Sequence, residues 1–128
     1  MRKSISTLLA IGLYAFALSA ALAQDTPAKV GDTSKGKALI DGAGMTLYKF
    51  DRDTAGTSNC NGVCANNWPP FKAPGNAKPS GDWTIVTRKD GGKQWAYKGA
   101  PLYTFYKDGN PGDAAGDGVN NVWHLAAP

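Results

Sequence analysis

The clearest alternation of hydrophobic and polar residues lies between positions 83 and 106. Trp83, Ile85 and Thr87 alternate with Thr84, Val86 and Arg88, and a period of two belongs to a strand with two different faces. Lys89-Asp90-Gly91-Gly92 then reads as a hairpin turn, because glycine enters the positive-φ region that such turns require. Lys93 to Tyr97 is the return strand, and Lys98-Gly99-Ala100-Pro101 turns the chain into a third strand from Leu102 to Tyr106. The pattern predicts a three-stranded antiparallel meander.

The same pattern occurs earlier in the chain. Thr46-Leu47-Tyr48-Lys49-Phe50-Asp51-Arg52-Asp53 matches Pro101-Leu102-Tyr103-Thr104-Phe105-Tyr106-Lys107-Asp108 at a constant shift of 55 positions, which also carries Gly44 onto Gly99, Asn66 onto Asn121 and Trp68 onto Trp123. Tyrosine and tryptophan are rare residues, so several matches at one ungapped shift mark a duplication. Projection through that shift predicts strands near 28–33, 38–42 and 45–50 in the first copy. Each copy continues into a Gly-, Asn- and Asp-rich loop that ends at its tryptophan, with one helical turn near Cys60 and Cys64 stopped by Pro69 and Pro70. Neither copy can bury a face alone. The expected fold is all-β and antiparallel, with two pseudo-symmetric meander repeats packed into one small domain.

Composition narrows the setting. A chain of 128 residues, 42% of them hydrophobic, has room for one core. Arg2 and Lys3 precede an apolar stretch from Leu8 to Ala23 that ends in Ala21-Leu22-Ala23, the small-x-small pattern of a signal-peptidase site. Its length of roughly 24 Å as a helix falls short of a hydrocarbon core of about 30 Å. Residues 1–23 are therefore expected to be a cleaved signal peptide, 24–35 a mobile leader and 36–128 the domain, with repeats over 36–73 and 83–128. No membrane span remains after cleavage, and the expected location is periplasmic or secreted. Removing Arg2 and Lys3 lowers the net charge from +4 to +2, too little to argue for nucleic acid.

Candidate chemistry is sparse. Cys60 and Cys64 are the only cysteines, and an oxidising compartment favours a disulfide between them. The alternative is a thiol-redox or copper(I) pair, with His124 or Met45 completing the shell. Asp51, Asp53, Asp108, Asp113 and Asp117 stand on loops, but their spacing does not fit a 12-residue calcium loop, which also ends in a glutamate that this chain lacks. Asp53 and Asp108 are expected instead to accept backbone N–H bonds in the turn after their strand. One histidine and no glutamate leave few parts for a catalytic triad or a metalloprotease helix. The aromatic residues, eleven of them after position 23, serve a core or line a groove for sugar or peptide.

The pattern Tyr-x-Phe-x-x-Asp occurs as Tyr48, Phe50, Asp53 and again as Tyr103, Phe105, Asp108. With the Cys-x-Gly-x-Cys-Ala-x-x-Trp-Pro-Pro and Trp-Ala-Tyr-x-Gly-x-Pro-Leu-Tyr segments, it resembles a family of bacterial secreted repeats described as predicted lipoproteins with a Y-x-(F/W/Y)-x-x-D motif. The likeness spans about 36–128. It implies secretion and the repeat architecture, and no specific activity. This chain lacks a cysteine at the cleavage point, where lipid-anchored members carry one. The expected function is an exported, non-enzymatic β-repeat protein with a binding or structural role in the cell envelope, its partner an envelope protein or glycan. Copper handling or thiol redox through Cys60 and Cys64 is one alternative, and an aromatic-lined carbohydrate or protein module is another.

Overall fold

The computed structural model describes residues 26–128; the signal peptide expected over 1–23 lies outside them. Seven short strands follow in order: β1 (Lys29–Thr33), β2 (Gly36–Ile40), β3 (Tyr48–Phe50), β4 (Trp83–Thr87), β5 (Lys93–Tyr97), β6 (Ala100–Pro101) and β7 (Trp123–Leu125). One helical turn, α1 (Val63–Asn67), lies between β3 and β4. The fold is all-β and antiparallel, as the alternation predicts.

β4, β5 and β6 form the expected meander, with Ile85 opposite Trp95 and Ala96 opposite Pro101. Gly91 has φ +88° in the β4–β5 turn, which is the conformation its position was expected to need. The first copy pairs β1 with β2, Val30 opposite Leu39, and only a single bridge, Ile40 to Thr46, links β2 to the segment projected as the third strand.

Three expectations are corrected. Lys29–Thr33 is a strand in a hairpin, so the folded unit starts near residue 29 and the leader is shorter than 24–35. The third strand of the second copy, expected over Leu102 to Tyr106, falls instead on Ala100–Pro101, in what was expected to be the turn, and that of the first copy, projected over 45–50, shortens to Tyr48–Phe50. The cause is that these backbones pair across the repeats. β3 of the first copy pairs with β7 at the end of the second, Lys49 opposite His124. In the reciprocal place Tyr103 bridges Pro70, and Thr104 N–H donates to Pro69 O at 2.9 Å.

The equivalent tyrosines meet each other at the centre. Tyr48 N–H donates to Tyr103 O (2.8 Å) and Tyr103 N–H to Tyr48 O (3.0 Å), so an approximate twofold axis passes between them. On either side a three-way ring of backbone bonds closes the structure. Leu39 N–H donates to Ala126 O, Ala126 N–H to Leu47 O and Leu47 N–H to Leu39 O; Trp95, Phe71 and Leu102 repeat the circuit. These rings satisfy buried backbone groups that the short strands leave unpaired.

Two cores result. Leu39, Leu47, Trp83, Trp95 and Leu102 fill one, and Tyr48, Cys60, Trp68, Tyr103, Phe105 and Trp123 fill the other. The residues shared by the duplication dominate the second. Among the described residues no helix is long and apolar enough to cross a membrane.

Candidate functional site

The second core carries the repeat motif. Trp68 and Trp123 stack face to face, ring centroids 3.8 Å apart and planes 2° from parallel. Phe50 stacks on the outer face of Trp123 and Phe105 on that of Trp68, each at 4.1 Å. The four rings form one column. Tyr48 meets Trp68 edge-on and Tyr103 meets Trp123 edge-on, at 5.4 and 5.2 Å, the arrangement that ring quadrupoles favour. The equivalent aromatics thus have equivalent neighbours.

Each phenol reaches the aspartate of the other copy. Tyr48 Oη donates to Asp108 Oδ2 and Tyr103 Oη to Asp53 Oδ2, both at 2.6 Å. The remaining oxygen of each carboxylate accepts a loop N–H, from Asn59 for Asp53 (2.7 Å) and from Ala115 for Asp108 (2.9 Å). These aspartates accept backbone bonds as expected, although the donors lie beyond the first turn. Burial, together with hydrogen bonding to the aspartate, pushes both phenol pKa values well above 10.0. Burial raises the Asp53 carboxyl above 3.8, while its bonds from Tyr103 and Asn59 and the Arg88 charge pull the other way. Both tyrosines are therefore neutral donors at ordinary pH.

Around Tyr103 the network is larger than around Tyr48. Ser58 Oγ lies 2.6 Å from Tyr103 Oη. Arg88, its side chain only 1% exposed, donates through Nη1 to Ser58 Oγ and Gln94 Oε1 and through Nη2 to Cys60 O. Its Nε reaches Asp90 at 3.2 Å. Gln94 Nε2 donates to Leu102 O at 2.7 Å. The sequence reading did not single out Arg88, Ser58 or Gln94. For Arg88 a signal exists, since the strand alternation puts it on the face of Val86, which is buried. Nothing in the sequence marks Ser58, because the second copy carries no serine at the corresponding place.

Cys60 and Cys64 are joined in a disulfide that packs on the aromatic column. Neither is then a thiolate, so the oxidised pair offers copper(I) no soft ligand. His124 Nε2 lies 2.7 Å from Asp51 Oδ2 on the β3–β7 ribbon. Met45 sits in a turn where its N–H donates to Asp41 Oδ1. Among the described residues no three His, Cys, Asp or Glu side chains gather as a metal would require. Asp113 accepts Gly109 and Asn110 N–H groups and Asp117 accepts Leu125 N–H, so these loop carboxylates hold backbone. The motif residues and the disulfide come together in one place; His124 and Met45 do not join them.

Clefts lie around this core and not within it. One of about 310 Å³ is walled by Trp68, Phe105, Tyr106 and Val119. Another, of about 480 Å³, is lined by Phe71, Trp83 and Trp95 with Lys72 and Lys78.

Comparison with known proteins gives one match. The family model described as a secreted repeat of unknown function matches residues 29–72 and again 84–127, the two copies found from the shift of 55. The first match begins where β1 does. No curated protein and no solved structure matches the chain.

Proposed function

We propose, since the chain belongs to the family of secreted repeats of unknown function, that it is an exported, non-catalytic protein of the cell envelope whose role is binding or structural. The observation that carries this reading is the fate of the motif. The phenols and carboxylates that define each copy are bonded to one another across the repeats, so the motif builds a scaffold and leaves recognition to the surfaces around it. The disulfide supports an oxidising location.

Mass spectrometry of the native protein after cell fractionation tests the reading. The expected result is a chain starting at Gln24, found in the periplasmic or extracellular fraction, two hydrogens lighter than its dithiol form and carrying no metal. A full-length chain in the cytosolic fraction with both thiols free overturns it.

A further inference from the structure

The duplication supplies an internal reference, and the two ends of the aromatic column differ. In the first copy the column ends at Phe50, and the loop beside it is α1, tied by Cys60–Cys64 against the aromatic rings. In the second copy the column ends at Phe105. The carboxylate bonds equate Asn59 with Ala115, so Gly116 stands in the place of Cys60, while Val119 precedes its tryptophan as Cys64 precedes Trp68. The tie is gone. Gly116 is pressed so close to the core that a Cβ would lie 2.8 Å from the Trp68 ring and 2.9 Å from Tyr48.

The backbone of the second loop is also different. Gly118, Asn120 and Asn121 have φ of +84°, +53° and +59°, and the helical turn of the first copy is replaced by a kinked 3-10 turn at Val119–Asn121. Asparagine visits this region more readily than other side chains do, and Val119, between Gly118 and Asn120, packs against the aromatic core. Beside this turn lies the cleft of about 310 Å³, with Trp68, Phe105 and Val119 as its apolar wall. Tyr106 stands at its edge, 56% exposed and edge-on to Phe105 at 5.3 Å. Its counterpart in the first copy is Asp51, which is paired with His124. Asn67, Asn120 and Lys107 complete the rim.

We infer that this cleft is a carbohydrate-binding site, with Tyr106 as the stacking platform for a pyranose ring at the end of a glycan. The chemistry of the lining selects that class. A pyranose has an apolar C–H face, whose hydrogens suit the negative face of an aromatic ring. Its ring edge is a row of hydroxyls, each donor and acceptor, and asparagine amides offer both functions. A cleft of this size, with an apolar wall and a few polar groups at the rim, fits a small ligand. Lys107 is the one cation in the lining and no carboxylate opposes it; its Nζ stands 5.7 Å from the centre of the Tyr106 ring, so a sugar stacked on that face takes the ammonium's place and an acidic sugar meets it at the rim. This inference deepens the proposed binding role. Its failure would leave the exported location and the oxidised cysteines untouched.

The test is a titration of the folded, disulfide-intact exported protein with N-acetylchitotriose, cellotriose and maltotriose. It is followed by two-dimensional NMR of the Asn67 and Asn120 amides, the Trp68 indole and the Tyr106 ring. The expected result is a saturable shift at these groups with at least one saccharide, with a dissociation constant of about 1 mM or tighter. Tyr106→Ala should weaken that binding at least tenfold at an unchanged melting temperature, and Tyr106→Trp should keep it. The inference is overturned if no saccharide saturates the wild-type protein. It is equally overturned if shifts centre on Phe71, Trp83 and Trp95, if a protein binds here in place of a glycan, or if Tyr106→Ala retains full affinity.

Discussion

Tyr48 of the first repeat donates its phenol proton to Asp108 of the second at 2.6 Å, and the residues equivalent to them do the same in the other direction. Neither repeat thus holds both halves of its own buried polar pair. The backbone obeys the same rule, since β3 finds its partner in β7 of the other copy. A single copy would leave a phenol, a carboxylate and a strand edge without partners in the core. Chains cut to residues 83–128 alone are expected to show no cooperative thermal transition, which circular dichroism would establish.

Removal of one phenol oxygen isolates the value of the exchange. Tyr48→Phe and Tyr103→Phe should each destabilise by about 1.5–3 kcal/mol, the range for hydrogen bonds to charged partners. Each hydroxyl has a second partner, Gly116 N–H for Tyr48 (3.2 Å) and Ser58 for Tyr103 (2.6 Å); Tyr103→Phe should be the costlier, because the loss at Ser58 reaches the buried Arg88 network. Urea unfolding of the two variants gives the comparison, and a smaller effect at Tyr103 would contradict the structure.

The stacked indoles make a spectroscopic prediction. With Trp68 and Trp123 at 3.8 Å and nearly parallel, the wild-type protein should show an exciton couplet in the indole band of its circular dichroism spectrum. Either Trp68→Phe or Trp123→Phe should abolish it. A double-mutant cycle over the pair should return a coupling of about 0.5–1.5 kcal/mol, the value of an aromatic pair beyond its buried area.

What the sequence makes legible here follows from which residues repeat. Tyr48, Phe50, Asp53 and Trp68 recur at one shift, so the duplication, the antiparallel class and the equivalence of the loops can be read directly. Equivalence does not say who touches whom. A meander reads as a local object, and nothing in it announces that Tyr48 will bond to Asp108 and not to Asp53. β1 is hard to read for a different reason: Lys29–Thr33 has no buried residue, only exposed and half-buried ones, so it lacks the alternation that marks β4. The cleft at Tyr106 was hidden because it arises from a departure from the repeat, Gly116 and Val119 against Cys60 and Cys64, whose consequence appears only in three dimensions.

Reducing the disulfide should cost about 2 kcal/mol, the loop-closure value for so short a ring, and should not unfold the domain. Arg88 is the reason the loop stays in place, since its Nη2 holds Cys60 O at 2.8 Å and its Nη1 holds Ser58. Arg88→Met leaves Cys60 O, Gln94 Oε1 and Ser58 short of a buried donor, and each such group costs about 1–3 kcal/mol. Reduction of Arg88→Met is accordingly expected to lower the melting temperature further than either change alone, as differential scanning calorimetry with and without reductant would show.

Asp53 gives the pH dependence a sign opposite to that of most paired carboxylates. Burial holds its folded pKa above the ordinary 3.8, so the folded state binds the proton more tightly than the unfolded chain does. The stability it contributes is complete below 3.8 and is lost as pH rises through the folded value. Asp53→Asn removes that titration, and an amide can still accept from Asn59 N–H through its oxygen while its NH₂ faces Tyr103 Oη. The stability of the wild type relative to Asp53→Asn should therefore rise as pH falls from 7 toward 3.8, because the other aspartates titrate alike in both proteins and cancel. Placing Arg88→Met in both backgrounds should enlarge the effect, since the guanidinium is one of the groups that pull the Asp53 pKa down. Urea midpoints measured across that range decide the matter: a difference that shrinks on acidification would mean that Asp53 is held as a stabilised carboxylate and that burial is not the governing influence.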